Sequence, residues 1–478
     1  MKKIVTILTI LGIFSFSSCN DFLNEELDGE YTSNNIYNTE EEANLALTGV
    51  YNSLSFTTSS NMIWVFGDVA SDDAVKGGSA SDQAEIDMID DFNIKSDNGI
   101  LLSYWKFAYE GINRANNVIH ANYGAGVDDG VKQQMIAQAK FIRAYYYFNL
   151  VNIWGKVPLR IEPVSTSNVN MGLSEVAQIY SRIEQDLNDA AGVLPPAYTQ
   201  TADKGRITKG AAYGLLAKAQ LYQKKWDDCI TTITTKLEPL GLYGLETNYE
   251  DLFKLGAEDS KEAVFAILHE SNQNPGLGNS LNQWFAPLVE GGYYFNAPTN
   301  NYVLSFSEQT TTGQTDPRLD ASIGRSGKEW LNDDVFDLTW SITGYLVKKH
   351  NQPLAEVPAG TKGDGGLPYI YLRYADILLM KAEAYTEAND LDKAAAALKL
   401  VRDRAGLAYT KPVNQEQMRS VIYLERRREL GFEFHRFFDL MRWGKDVATQ
   451  ALGSDFKWQE PRYYFPIPQN ELDSNNGI

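Results

Sequence analysis

Cysteine is almost absent from this chain, with two in 478 residues, and histidine is scarce at four. If Cys19 is modified, Cys229 is alone, so no intrachain disulfide can form. His120, His269, His350 and His435 are far apart and lack metal-ligand spacing. Basic residues are also short, 43 against 62 acidic, for a formal charge of −19. That balance argues against nucleic acid or anionic lipid headgroups as partners through long-range electrostatics. Beyond the N-terminus no stretch approaches ~18 consecutive apolar residues, so no later segment reads as a transmembrane helix. Catalytic signatures are missing too: there is no H-E-x-x-H, G-x-S-x-G, Walker A, G-x-G-x-x-G or C-x-x-C. Asp97-Asn98-Gly99 and Asp364-Gly365-Gly366 are turn signals that do not continue into EF-hand loops. The acidic residues leave a glycoside-hydrolase carboxylate pair open, but nothing selects one pair.

What is present begins at the N-terminus. Lys2 and Lys3 precede an apolar run, Ile4 to Phe16, too short to span a bilayer. Phe16-Ser17-Ser18 then leads into Cys19. This reads as a lipoprotein signal over residues 1–18, with Cys19 as the acylated mature N-terminus. Each buried methylene of an acyl chain contributes about 0.8 kcal/mol, and several chains anchor stably. Residues 19–38 are polar and acidic and read as a lipid-anchored tether. Asp21, Glu25 and Glu26 suit surface export. Cys229 follows Trp226-Asp227-Asp228 in a helical pattern and reads as a small buried residue.

Helical periodicity dominates the rest. Thr39-Glu40-Glu41-Glu42 forms a capping box ahead of Ala43, Leu47, Val50 and Leu54. Further helices are predicted over about 104–122, through Met135–Ile153 to a stop near Gly155, from Val176 to before Pro195-Pro196, from a Thr208 cap to Gln223, and from Trp226. Two late stripes, Leu372–Tyr385 and Ala394–Ala405, are joined through Asn389-Asp390-Leu391 and closed by Gly406. Ala382, Tyr385, Asn389, Ala394 and Leu398 resemble a tetratricopeptide hairpin, and Ala217 to Cys229 a looser copy. The predicted class is mainly α, with helical hairpins as a scaffold over about 39–270 and 371–478.

Two regions break this pattern. Residues 55–103 are rich in Ser, Asp and Gly, with a possible strand at Met62–Phe66, and 271–370 are rich in Gly, Pro, Asn and Thr. Long loops inside a domain are usually functional or disordered. Loop aromatics flanked by polar residues supply what a sugar needs: a ring face for its C–H groups and polar groups for its hydroxyls.

Ordered blocks then carry a resemblance. Trp105 to Asn116, Ala139 to Leu150 with Trp154-Gly155-Lys156-Val157-Pro158-Leu159, and Gly205 to Ala211 come first. Asp316-Pro317-Arg318-Leu319, Tyr371 to Asp376, Glu425 to Leu430, His435 to Leu440, Arg442-Trp443-Gly444 and Phe465 to Gln469 follow. Together they resemble the SusD/RagB family of outer-membrane glycan-binding lipoproteins, across residues 19–478. The blocks are read mainly as architecture, with Arg426 to Arg428 pairing with carboxylates across hairpins. The resemblance implies a SusD-like fold over 39–478. It implies a lipid-anchored protein facing the cell exterior, which captures an oligosaccharide or polysaccharide and passes it to a SusC-like TonB-dependent transporter. It implies no enzyme activity and no cofactor, and it assigns no metal ligand. Family layout and local composition place glycan contacts at Trp64, Asp72, Asp73 and Lys76 in the first loop. In the second they fall at Trp284, Tyr293, Tyr294, Phe295 and Trp330. A protein-binding helical adaptor, or a surface glycoside hydrolase, would fit the scaffold without that assignment.

Overall fold

The structure, a computed structural model, describes residues 36–331, 334–358, 361–453 and 456–478. Cys19, the signal segment and most of the tether lie outside the described residues. Among the described residues no helix is long and apolar enough to cross a membrane.

Ten helices carry the scaffold: α1 Glu40–Asn52, α2 Gly99–Ile119, α3 Asp129–Trp154, α4 Val176–Val193, α5 Lys209–Tyr222, α6 Trp226–Thr231, α7 Tyr374–Glu387, α8 Leu391–Arg404, α9 Gln415–Leu430 and α10 Arg436–Trp443. Other helices are named by their residues. The caps follow the local chemistry. Thr39 and Glu42 satisfy each other's backbone N–H at the start of α1, and the Thr208 hydroxyl accepts from Ala211 N at the start of α5. Each cap satisfies backbone donors that the first turn leaves free.

α3 is the centre. Its second half, from Phe141 to Trp154, is buried on every side, which is what a helix surrounded by others requires. α2 and α4 flank it. Arg143 of α3 forks onto Asp186 of α4, with Nε–Oδ2 and Nη2–Oδ1 both 2.8 Å, and donates to Asn116 of α2 at 2.7 Å. α7 and α8 form the late hairpin. Its turn passes through Asn389 at φ +62°, and Asp390 caps α8 by accepting from Lys393 N. Ala382, Ala394 and Leu398 are sealed between the two helices.

Strands are few and short, and each pairs antiparallel with a single partner: β1 Ala74–Gly77 with β5 Phe295–Pro298, β2 Val157–Pro158 with β3 Leu173–Ser174, β4 Ala263–Ile267 with β8 Tyr369–Arg373, and β6 Ile323–Arg325 with β7 Tyr345–Val347. The strand expected at Met62–Phe66 is not there. Ile63 and Trp64 are helical and run into a π-helical turn, Val65–Val69. A short, wholly buried apolar run has no period to separate helix from strand, and here Gly67 packs so tightly on Phe434 that a Cβ would lie 2.3 Å from its carbonyl oxygen.

The motif blocks meet in a buried charge network. Arg373 reaches Glu433 at 2.7 Å and Glu429 at 3.0 Å, and also bonds Glu262. Arg318 bonds Asp316 at 2.7 Å, Glu425 at 2.6 Å and Glu429 at 3.0 Å. Arg426 pairs with Asp376 at 2.8 Å and Asp439 at 3.0 Å, and Arg428 with Glu308 at 2.9 Å. Burial pulls the Glu433 carboxyl up, but Arg373 and Lys349 outweigh it and hold it down at about 2. Removing one member of such a pair costs about 3–5 kcal/mol, because the other is left charged and dry.

Candidate functional site

The two loop regions come together through β1 and β5. Gly77 pairs with Phe295, and a Cβ on Gly77 would stand 2.4 Å from the Tyr294 carbonyl oxygen, at φ +73°. Gly78 is pressed as closely against the Phe295 ring. This Lys76-Gly77-Gly78 turn therefore needs glycine for both space and backbone conformation.

Four of the candidate aromatics then nest from core to surface. Trp64 is fully buried and packs on Trp284 at 5.6 Å and Phe295 at 6.3 Å between ring centroids. Trp284, 8% exposed, packs in turn on Phe295 at 5.2 Å and on Tyr293 at 5.6 Å. Tyr293 is 43% exposed. Its backbone is fixed by Tyr293 N donating to Gln283 O at 2.8 Å, and by Tyr294 N donating to Ala286 O at 2.9 Å. Beside it, Leu288 and Val289 are 68% and 70% exposed.

Trp330 sits elsewhere than expected. It is buried in a satellite core with Phe336 and Leu346, against which Tyr294 and Trp340 pack. Its indole N–H donates to Glu290 Oε1 at 2.8 Å, and Lys362 Nζ holds Glu290 Oε2 at 2.7 Å. Glu290 thus ties the Leu288–Tyr293 loop to the Trp330 core. Above that core Val335, Leu338 and Ile342 are exposed. Exposed apolar side chains thus stand on both segments that Glu290 ties together, the 288–293 loop and the stretch after Trp330. Exposed apolar patches of this kind mark binding sites.

The polar candidates do other work. Asp72 accepts from Arg436, Oδ1–Nε 2.7 Å and Oδ2–Nη2 2.9 Å. Asp73 accepts from Arg427 Nε at 2.5 Å. Burial raises the Asp72 carboxyl, yet Arg436 and Arg427 outweigh it and hold it below its usual value. For Asp73 burial wins, and its carboxyl is raised. Lys76 Nζ is taken up by Asp87 at 2.8 Å and the Asp82 carbonyl at 2.9 Å. The sequence reading put Asp72, Asp73 and Lys76 on sugar hydroxyls. In the structure their charges are neutralised within the fold, and they position β1. It also gave Trp64, Phe295 and Trp330 a ligand-facing role, but their rings are enclosed and offer no open face for stacking. The exposed aliphatics Leu288, Val289, Leu338 and Ile342 were missed. A lone aliphatic in a loop carries no periodic signal, although Pro287 and Gly291-Gly292 bracket the first pair.

Comparison with known proteins covers both halves of the chain. The family described as SusD family matches residues 261–460, and the one described as "Starch-binding associating with outer membrane" matches 21–221. SusD-like protein P25 of Formosa agariphila is 25% identical over 99% of this chain and 97% of its own length. A solved laminarin-binding SusD-like protein superposes with a TM-score of 0.78 at 29% identity, covering 92% of this chain and all of that one. Surface glycan-binding protein A from Bacteroides fluxus superposes at 0.76 with 25% identity, over 92% and 98%. With the helical scaffold, the paired short strands and the motif network all in place, the chain belongs to the SusD family.

Proposed function

We propose that this protein is a cell-surface lipoprotein that captures an oligosaccharide or polysaccharide and delivers it to a TonB-dependent outer-membrane transporter. The observation that carries the reading is Tyr293. It is the one sequence-predicted aromatic that is well exposed, and its ring packs on Trp284, which packs in turn on the buried Trp64 and Phe295. A sugar ring laid on it would meet Leu288 and Val289 on its apolar face. The names of the relatives, a laminarin-binding protein and a surface glycan-binding protein, support the ligand class.

Binding without bond breaking is the proposed chemistry. Asp72 and Asp73, the two acidic candidates in the first loop, are bound by arginines and are poorly placed to act as a free acid and base. Lipid anchoring through Cys19, and a place over the transporter, would let weak binding hand the ligand on. The test is calorimetric titration of residues 20–478 against plant, host and microbial glycans, with chromatography of each mixture afterwards. Binding of an intact glycan is the expected result. Shortened products would convert the reading to a hydrolase, and silence across the panel would sink the glycan class.

A further inference from the structure

A cleft of about 950 Å³ opens on the scaffold, among residues that the aromatic surface does not use. One wall is the last turns of α1, with Thr48 and Asn52. Another is the 201–206 loop, with Thr201 and Lys204. Leu54, Ile267, Leu268 and Leu277 contribute apolar groups. At Asn52, Ser55 and Thr57 it meets a second cleft of about 350 Å³, which is also lined by Lys106, Glu110 and Arg114.

Three features define what could lie there. The shared stretch is neutral, made of hydroxyls and an amide. Most charged groups on the two clefts are already paired: Lys204 with Glu258 at 3.0 Å and Asp259 at 2.9 Å, Arg206 with Asp203 at 2.8 Å, and Arg114 with Glu110; Glu270 in the main cleft and Lys106 in the second stand outside these pairs, one of each sign. A phosphate or a cationic ligand would therefore find no cluster of unmatched charge of one sign, only single residues in separate clefts. Next, Glu258 uses only one oxygen on Lys204. Its Oε2 is buried and has no hydrogen-bond partner among the described residues. A buried acceptor without a donor is costly and marks a place where a ligand hydroxyl would be welcome. Finally, the volume of the main cleft is at the upper end of small-ligand pockets, and the trough continues beyond it, so an elongated ligand fits better than a compact one.

We propose that this trough is a second carbohydrate subsite, taking an unbranched neutral oligosaccharide with its hydroxyls on Asn52, Thr57, Thr201 and Glu258. This rests on the glycan-capture reading and extends it. Two subsites on one chain would hold a polysaccharide at two points, and the second contact would gain from effective concentration without needing high affinity of its own.

The probes are hexasaccharides of β-1,3-glucan, β-1,4-xylan, α-1,4-glucan and β-1,4-mannan, added in turn to residues 20–478. Hydrogen exchange is followed at 48–57, 201–206 and 288–294, beside calorimetric stoichiometry. Thr201→Trp fills the cleft from an exposed rim position, Glu258→Gln keeps the shape but alters the acceptor, and Tyr293→Ala disables the aromatic surface. The expected result is protection at 48–57 and 201–206 that survives Tyr293→Ala, is lost in Thr201→Trp, and is weakened several-fold in Glu258→Gln. Protection confined to 288–294 overturns the second subsite and leaves the aromatic surface standing. Protection confined to the cleft retains the subsite and removes the surface. Protection at 48–57 by a casein peptide digest but by none of the sugars makes the trough a peptide site, and no protection there by any probe overturns it.

Discussion

Arg436 holds Asp72 in a two-point grip, Nε to Oδ1 at 2.7 Å and Nη2 to Oδ2 at 2.9 Å, across 364 residues of chain. Asp72 leads into β1, its carbonyl accepts from the Thr299 hydroxyl just beyond β5, and α10 supplies the arginine. One contact thus fastens both loops of the candidate surface to the C-terminal helices.

Arg436→Met is expected to lower stability by up to about 3 kcal/mol, because the nearly buried Asp72 carboxylate is left with Arg427 alone. Glycan affinity should fall with it, because β1 and β5 would lose their shared anchor. Urea unfolding checks the first part, and an unchanged midpoint would refute the anchoring role.

Trp64 and Tyr293 should separate stability from binding. Trp64→Ala opens a cavity in the core and is expected to cost about 3–5 kcal/mol. Tyr293→Ala sits at the surface and should change stability by less than about 0.5 kcal/mol. It should nevertheless weaken glycan binding by roughly tenfold or more, the scale of an interface aromatic. Thermal melts and calorimetry on both variants decide this; a Tyr293→Ala protein that binds as tightly as the parent removes Tyr293 from the site.

Gly77→Ala should cost about 2 kcal/mol and weaken binding. A Cβ there collides with the Tyr294 carbonyl, and φ +73° is strained for any L side chain. Moving the same substitution to Gly313, which has open space but also φ +77°, isolates the collision from the strain. Equal losses at both positions would argue against the close approach.

Asp90 gives a pH dependence of definite sign. Burial pushes its carboxyl up to about 7, against 3.8 for the free group, while it accepts from Lys76 N on β1. Between pH ~4 and ~7 the unfolded carboxyl has already lost its proton and the folded one keeps it. Folding therefore takes up a proton, and the Asp90 contribution declines as pH rises through that window. Asp90→Asn has no proton to lose. Relative to the parent it should gain about 4 kcal/mol from pH 4 to pH 8. A parent–variant difference that stays flat with pH would contradict the buried, protonated carboxyl.

The sequence by itself determined most of the scaffold. Helix caps, stripes at helical spacing and the Asn389-Asp390 turn are local, so α1 to α8 could be placed from neighbours a few residues apart. The arginine-rich block at 425–430 also announced ion pairs, since its five charged residues cannot be buried unmatched. Partner identity was a different matter. Whether Asp72 meets a sugar or Arg436 depends on residues 364 apart, and only the folded chain decides it. The same holds for tryptophan. Trp64, Trp330 and Tyr293 sit in similar loop contexts, yet two are sealed and one is open, because exposure is set by what packs on top and not by the residue or its neighbours in sequence.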